Sequence, residues 1–267
     1  MIFSSFQWLF YFAFFFFGLL VGSFLNVCIV RIPLSESIVW PASHCRNCKR
    51  PIAFYENIPV LSFLFLKGRC RTCDSSISWL YPLIEIFSGI LAILCFYHLQ
   101  NPSLALLWFL FFVSPLLVMA VIDAKTFSIY NVISFPFIIV GVLLRWFTET
   151  HGTLSLFPAS LWFSLKGIFC GAGILTFILI AYERLRKQKG LGWGDVTLAA
   201  GLGAFFGAKS ILVIFILASW LGVFYGLILM FFQNYRLNSK IPFGPFLALA
   251  AFLRFIFPVF HFKGLHF

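Results

Sequence analysis

The feature that most limits this chain is its succession of long apolar runs. Eight follow one another: Trp8 to Val30, Tyr81 to Leu99, Ser103 to Val121, Ile129 to Phe147, Ser160 to Tyr182, Val196 to Gly207, Ile211 to Phe232 and Phe243 to Phe260. A helix that crosses a bilayer core needs about 20 such residues. Eight spans would use roughly 160 residues, close to the 62% of the 267 residues that are hydrophobic. Only 10% are charged, where a soluble domain carries about a quarter. A soluble fold, a disordered chain and a coiled coil are excluded. The expected fold is an all-α polytopic membrane protein of about eight transmembrane helices. The sixth run is too short for a straight crossing and reads as a Gly-rich helix starting among the headgroups. Met1 to Gln7 hold no Lys or Arg and no small-residue cleavage site follows, so the first run is expected to stay as a span.

Sidedness follows from the basic residues. With eight spans both termini share a side, and placing them outside leaves 14 of the 19 Lys and Arg residues on inside connections. Seven stand between Arg31 and Arg71, and Arg184, Arg186, Lys187 and Lys189 form a second group with Lys125, Arg236 and Lys240 beyond them. Lys209 and Lys263 are left outside. The positive-inside rule therefore puts the termini out and the long loops in the cytosol. That bias accounts for the net charge of +11, so no nucleic-acid partner is expected, only the membrane lipid.

The one sizeable polar piece, residues 31–80, is too small to fold on hydrophobic burial alone. It carries its own staple. Cys45 and Cys48 form one C-x2-C and Cys70 and Cys73 a second. Two such knuckles complete a tetrahedral zinc site, and four thiolates leave no open position, so the metal is assigned to folding. Disulfides are the alternative, set against a reducing cytosolic face. Cys28, Cys95 and Cys170 sit singly in apolar runs and read as small buried hydrophobes.

Carboxylates are scarce, eight in the whole chain. Asp74 follows the last cysteine of the loop and reads as a solvated residue. Asp123 ends the third run and Asp195 opens the sixth, so two spans each bring one carboxylate to the cytoplasmic boundary. Ionisable groups there are functional candidates. Facing each other, one acts as general base on a water while the other supplies a proton, which is aspartyl protease chemistry. The alternative is that each pairs with Lys125 or Arg186 at headgroup level. Gly192 and Gly194 precede Asp195 and remove side chains where an extended substrate backbone would approach.

Taken in order, these stretches resemble the type IV prepilin peptidases, the leader peptidase and N-methyltransferase of pilus and type II secretion systems. They are Gly22-Ser23-Phe24-Leu25-Asn26-Val27, Arg31-Ile32-Pro33 and the four-Cys loop with Tyr55-Glu56-Asn57-Ile58-Pro59 between its knuckles. Tyr81-Pro82-Leu83-Ile84-Glu85, the two aspartate segments and Ile241-Pro242-Phe243-Gly244-Pro245-Phe246 complete the set. The resemblance implies a catalytic pair Asp123 and Asp195 in the fold of Gly-x-Gly-Asp intramembrane proteases. It implies cleavage of a short basic leader after a glycine, typically before phenylalanine, in type IV prepilins or type II secretion pseudopilins. It implies methylation of the new amine by S-adenosylmethionine, and a multi-pass protein of the bacterial inner membrane with periplasmic termini and a cytosolic cysteine loop. The expected division is residues 1–30 as the first span, 31–80 as the zinc loop within an N-terminal domain reaching about 99, and 100–267 as the membrane peptidase domain. No fingerprint for S-adenosylmethionine stands in the sequence.

The chain departs from the family at Arg46, where proline is common, at Tyr130, where a proline is usual before Asn131, and at Thr197, where a lysine usually follows the aspartate. Glu85, a few residues into the second run, is either a functional group or a partner for a loop arginine, and the ion pair is the expectation. Pro242 and Pro245 break the start of the last helix; either they leave backbone groups free near the aspartates to hold an extended substrate, or they simply terminate a loop. Two rival functions remain at this stage: a cation- or proton-coupled transporter using the two aspartates, and an inactive assembly scaffold.

Overall fold

A computed structural model describes residues 7–150, 161–187, 192–233 and 241–257, with side chains except at 147–150 and 233. Lys189, Arg236, Lys240, Lys263 and the run ends at Ser160 and Phe260 lie outside the described residues. The helices are α1 (Gln7–Arg31), α2 (Leu61–Phe65), α3 (Leu80–Leu99), α4 (Pro102–Thr126) and α5 (Asn131–Thr150), followed by α6 (Leu161–Arg186), α7 (Trp193–Gln233) and α8 (Gly244–Ile256). Pairing between extended segments, among the described residues, is confined to two isolated bridges in the loop. Five helices are long and apolar enough to cross a membrane, namely α1, α3, α4, α6 and α7, and α5 and α8 are shorter apolar helices.

The sixth and seventh runs form one element. α7 is interrupted only at Gly207, whose φ of 74° and ψ of 175° belong to a region that side chains exclude. Ala199 before the bend and Ile211 after it both lie against Gly171 of α6, so the two arms fold back on each other. Counted as two arms, α7 brings the apolar helical segments among the described residues to eight. The short arm is packed among neighbouring helices of the second unit. Leu198, Ala199, Leu202, Ala204 and Phe205 in it are fully buried by protein, so neighbouring helices supply what length does not.

The chain divides into two compact units, Met1–Ser114 and Pro115–Phe267. In the first, α1 and α3 run antiparallel. Gly18 meets Gly89 and Ala92, and Gly22, one turn on, meets Glu85 and Ser88. Small residues four apart let two backbones approach in a medium that offers no hydrophobic drive between helices. Phe14 and Phe10 then stack on Phe96, with ring centroids 4.8 and 5.6 Å apart. The loop between these helices carries the cysteines.

In the second unit, α6 packs along the short arm of α7 by the same device, Gly167 against Gly203 and Gly171 against Ala199. α5 lies on the same arm, with Gly141 against Phe205, Phe137 over Gly201, and Ile129 just before α5 filling the space at Gly194. α8 packs on the long arm, where Tyr225 and Phe246 meet with ring centroids 5.5 Å apart and Arg254 donates to Ser210 Oγ at 3.3 Å. These contacts bring the C-terminal end of α4 and the N-terminal ends of α7 and α8 into one neighbourhood.

Candidate functional site

Asp123 stands in the last turn of α4 and Asp195 in the first turn of α7. Both are buried, at 4% and 8% exposure. A buried carboxylate has to find donors, and here the donors are backbone N–H groups of glycines. Gly244, the first residue of α8, donates to Asp123 Oδ2 at 2.9 Å. Gly192 donates to Asp195 Oδ2 at 3.1 Å, closing a turn over the start of α7. Each aspartate is therefore held through one oxygen. The other oxygen of Asp195, Oδ1, is buried with no hydrogen-bond partner. Asp123 is near enough for its charge to act on Asp195.

The surrounding glycines divide by role. A Cβ at Gly244 would lie 2.7 Å from Asp123 Oδ2, so only glycine brings the N-terminus of α8 this near the carboxylate. A Cβ at Gly194 would lie 2.7 Å from Ile129 Cβ; that space is filled by the chain itself. Gly192 is exposed, and a Cβ there would meet nothing closer than Asp195 Oδ2 at 3.5 Å. Thr197, at the lysine position, donates its hydroxyl to the Gly194 carbonyl at 2.9 Å. The Pro-Phe-Gly-Pro segment does free a backbone N–H near the aspartates, but that donor, on Gly244, is taken by Asp123. The specific hydrogen bond is invisible in the sequence, because residues 121 apart make it.

The second cluster lies in the first unit. The two C-x2-C motifs form the same turn twice. Cys45 N–H donates to Arg50 O and Lys49 N–H to Cys45 O; Cys70 N–H donates to Ser75 O and Asp74 N–H to Cys70 O. The residue after each second cysteine, Lys49 or Asp74, has a left-handed φ of 59° or 53°. Asp74 is thus a turn residue of the knuckle. The four Sγ atoms lie within 4.8 Å of one another, and Cys45 and Cys73 sulfurs are 3.8 Å apart. A tetrahedral zinc with bonds of about 2.3 Å needs sulfurs about 3.8 Å apart. Cys45 and Cys73 already stand at that spacing, and the widest separation in the set has to close by about an ångström at most. All four are free thiols. Ser75 lies 3.2 Å from the Cys73 sulfur and Asn47 Nδ2 donates to it. The hydroxyl and the N–H of Ser75 hold this thiol down to about 6, the state a metal ligand needs.

Arg50 and Arg71 both bond Glu56, and the bond to Arg50 holds its carboxyl below the usual carboxylate value. Arg31 spans the loop, donating to the carbonyls of Ser37 and Pro41 at 2.9 and 2.8 Å. Glu85 does not pair with an arginine as the sequence led us to expect. It accepts the Val60 N–H at 2.7 Å and the Ser23 hydroxyl, and no Lys or Arg bridges it among the described residues. A cavity of about 470 Å³ opens between α1, the start of α3 and the loop.

Two family models match the chain: the bacterial peptidase A24 N-terminal domain over residues 16–99 and the type IV leader peptidase family over residues 110–227. The prepilin leader peptidase/N-methyltransferase of Aeromonas hydrophila is 32% identical over 270 residues, covering 92% of this chain and 90% of the relative. That of Klebsiella pneumoniae is 38% identical over 208 residues, 76% of this chain and 87% of the relative. The same-named protein of Burkholderia pseudomallei strain 1026b is 33% identical over 256 residues. No solved structure matches the chain.

Proposed function

This chain belongs to the type IV leader peptidase family, and we propose from that premise that Asp123 and Asp195 are its catalytic pair. Its activities are cleavage of the leader from type IV prepilin-like proteins and N-methylation of the residue that cleavage exposes. The observation that supports the aspartate assignment is the pair of buried carboxylates at helix ends, each fixed by one glycine N–H.

One carboxylate, ionised, takes a proton from a water whose oxygen attacks the scissile carbonyl carbon. The other, protonated, gives its proton to the carbonyl oxygen, and the leaving amine is protonated as the C–N bond breaks. Backbone N–H groups cannot rotate away, so the reacting oxygens stay aimed through the cycle. Asp195 Oδ1, buried and unbonded, is the atom with capacity to spare for a water or substrate oxygen. Gly192 leaves the approach to it open.

The sidedness read from the basic loops puts this site at the cytoplasmic face of the inner membrane, with both termini periplasmic. A substrate helix lying in the bilayer then holds its leader at the depth of the aspartates. A basic leader gains from the anionic pair and from anionic headgroups. Cys45, Cys48, Cys70 and Cys73 hold a structural zinc. The cavity of the first unit has the size of a small-molecule site, and its arginines, with Glu36, suit the charged ends of S-adenosylmethionine. That cofactor, when bound, supplies an electrophilic methyl group.

The test uses a type IV prepilin in liposomes, with and without S-adenosylmethionine, and mass spectrometry of the pilin N-terminus. Wild type removes the leader and adds one methyl mass. Asp123→Asn and Asp195→Asn, both folded, leave the leader in place. Cleavage that survives either substitution overturns the assignment.

A further inference from the structure

Outside the aspartate pair, carboxylates gather in one place. Three of the eight acidic residues, Glu36, Glu56 and Glu85, line the cavity of the first unit. Glu56 is already neutralised by Arg50 and Arg71. Glu85 is different. It stands early in apolar α3, is 7% exposed, and receives only neutral donors, the Val60 N–H and the Ser23 hydroxyl. The loop is bent to supply one of them: Val60 has φ 61° and ψ −48°, a costly backbone for a β-branched residue. Such strain persists where the surroundings enforce it, often at a binding site. A buried carboxylate without a cation, opening on a cavity of ligand size, is built to receive one.

The methylation reaction identifies that cation. A neutral amine nitrogen attacks the methyl carbon of a sulfonium donor. The N–C bond forms, and the C–S bond breaks with its electron pair on sulfur, which leaves as a neutral thioether. Positive charge passes from sulfur to nitrogen. An anion beside the sulfur holds the starting state, whereas an anion beside the nitrogen favours the transition state.

We propose that Glu85 binds the α-ammonium group created by leader cleavage, accepts one proton from it, and faces the nitrogen while it is methylated. The amine then attacks with its freed lone pair, the product is a methylammonium, and Glu85 returns its proton to water. Val60 N–H and Ser23 hold the carboxylate in place through the exchange. This inference rests on the bifunctional reading above and gives the second activity its amine site.

The experiment uses the full chain in nanodiscs and two pilin-like peptides that begin with phenylalanine, one with a free α-amine and one N-acetylated. Wild type binds the free amine about tenfold more tightly. Glu85→Gln abolishes that preference, keeps S-adenosylmethionine affinity by calorimetry, keeps leader cleavage within about twofold, and lowers methyl transfer about 100-fold. A Glu85→Gln protein that still prefers the free amine, or that loses affinity for S-adenosylmethionine in place of the amine, overturns the proposal. Should Glu85→Gln fail to fold, Glu85→Asp decides it: a fall of more than twofold in amine preference with cleavage intact supports the assignment, and an unchanged preference overturns it. Wild type that cleaves but neither methylates nor binds S-adenosylmethionine overturns the bifunctional reading, and this proposal with it.

Discussion

The cysteine loop secures Glu56, and the second unit its two aspartates, by opposite means. In the cysteine loop Glu56 is held by two arginine side chains, and the loop as a whole by four sulfurs brought together. In the second unit both aspartates are held by backbone N–H groups of glycines, and the helices by glycines that let backbones touch. A polar segment of about 50 residues buries too little apolar surface to fold by packing, so it depends on ion pairs and on its gathered cysteines. A helix bundle in lipid cannot use long polar side chains cheaply, so it depends on close approach. A side-chain clamp can let go when pH or metal changes; a backbone clamp lets go only when the helix moves.

The contrast can be broken most forcefully at the metal. Structural zinc contributes roughly 10–16 kcal/mol in small zinc peptides. Chelation, or Cys70→Ser with Cys73→Ser, is expected to open the loop to trypsin at Lys49 and Lys67, while the fragment from Pro115 onward keeps its thermal stability. A loop that stays protected without metal would show that ion pairs alone hold it.

Next in size is loss of the backbone-held pair. Asp123→Asn or Asp195→Asn should lower the rate of leader cleavage on the order of 10³- to 10⁴-fold. Methylation of a pilin already cleaved should continue at the wild-type rate, because the proposed amine site lies in the other unit. Coupled loss of both activities would erase the division of labour.

A finer probe is Gly244→Ala. Its Cβ would fall 2.7 Å from Asp123 Oδ2, so the helix start or the carboxylate must shift. An ångström of misplacement costs up to about 100-fold in rate, and we expect a 10- to 100-fold fall in cleavage with methylation unaffected. An unchanged cleavage rate would mean that the N–H of Gly244 does not position Asp123.

The smallest effect belongs to the side-chain clamp. Glu56 has its carboxyl held below the ordinary value of 4.5, first by the hydrogen bond from Arg50. Its contribution is therefore complete above that ordinary value and fades as pH falls through the lowered one. Hydrogen exchange in the loop should quicken in that acid range, less steeply for Glu56→Gln. Thiol protonation acts in the same direction in both proteins, so only the difference between them reports Glu56.

Several parts of this arrangement were legible without coordinates. Apolar runs announced the helices, since burial in lipid demands continuous apolar sequence, and C-x2-C spacing announced the knuckles, since one tight turn joins each pair. Asp123 and Asp195 stood out because charge at the end of an apolar run has to be explained. Other parts were not legible. Glu85 read as half of an ion pair, because a nearby arginine-rich loop offers many partners and nothing local says that the Val60 N–H will reach it first. The sixth run read only as a short Gly-rich helix starting among the headgroups, because its burial against α5 and α6, which shows how so short a segment stays in place, is not local. Gly207 was one glycine among 19 until its φ marked the fold-back of α7.

What the sequence determined by itself is therefore what depends on neighbours along the chain: the number of apolar segments, the cysteine knuckles and the identity of the scarce carboxylates. Tertiary structure alone decided which N–H faces Asp123 and which faces Glu85. Gly244 and Asp123 are 121 residues apart, and Glu85 and Val60 25 apart. Pairings of that kind are set by how closely whole helices can pack, a property of three dimensions that no local pattern records.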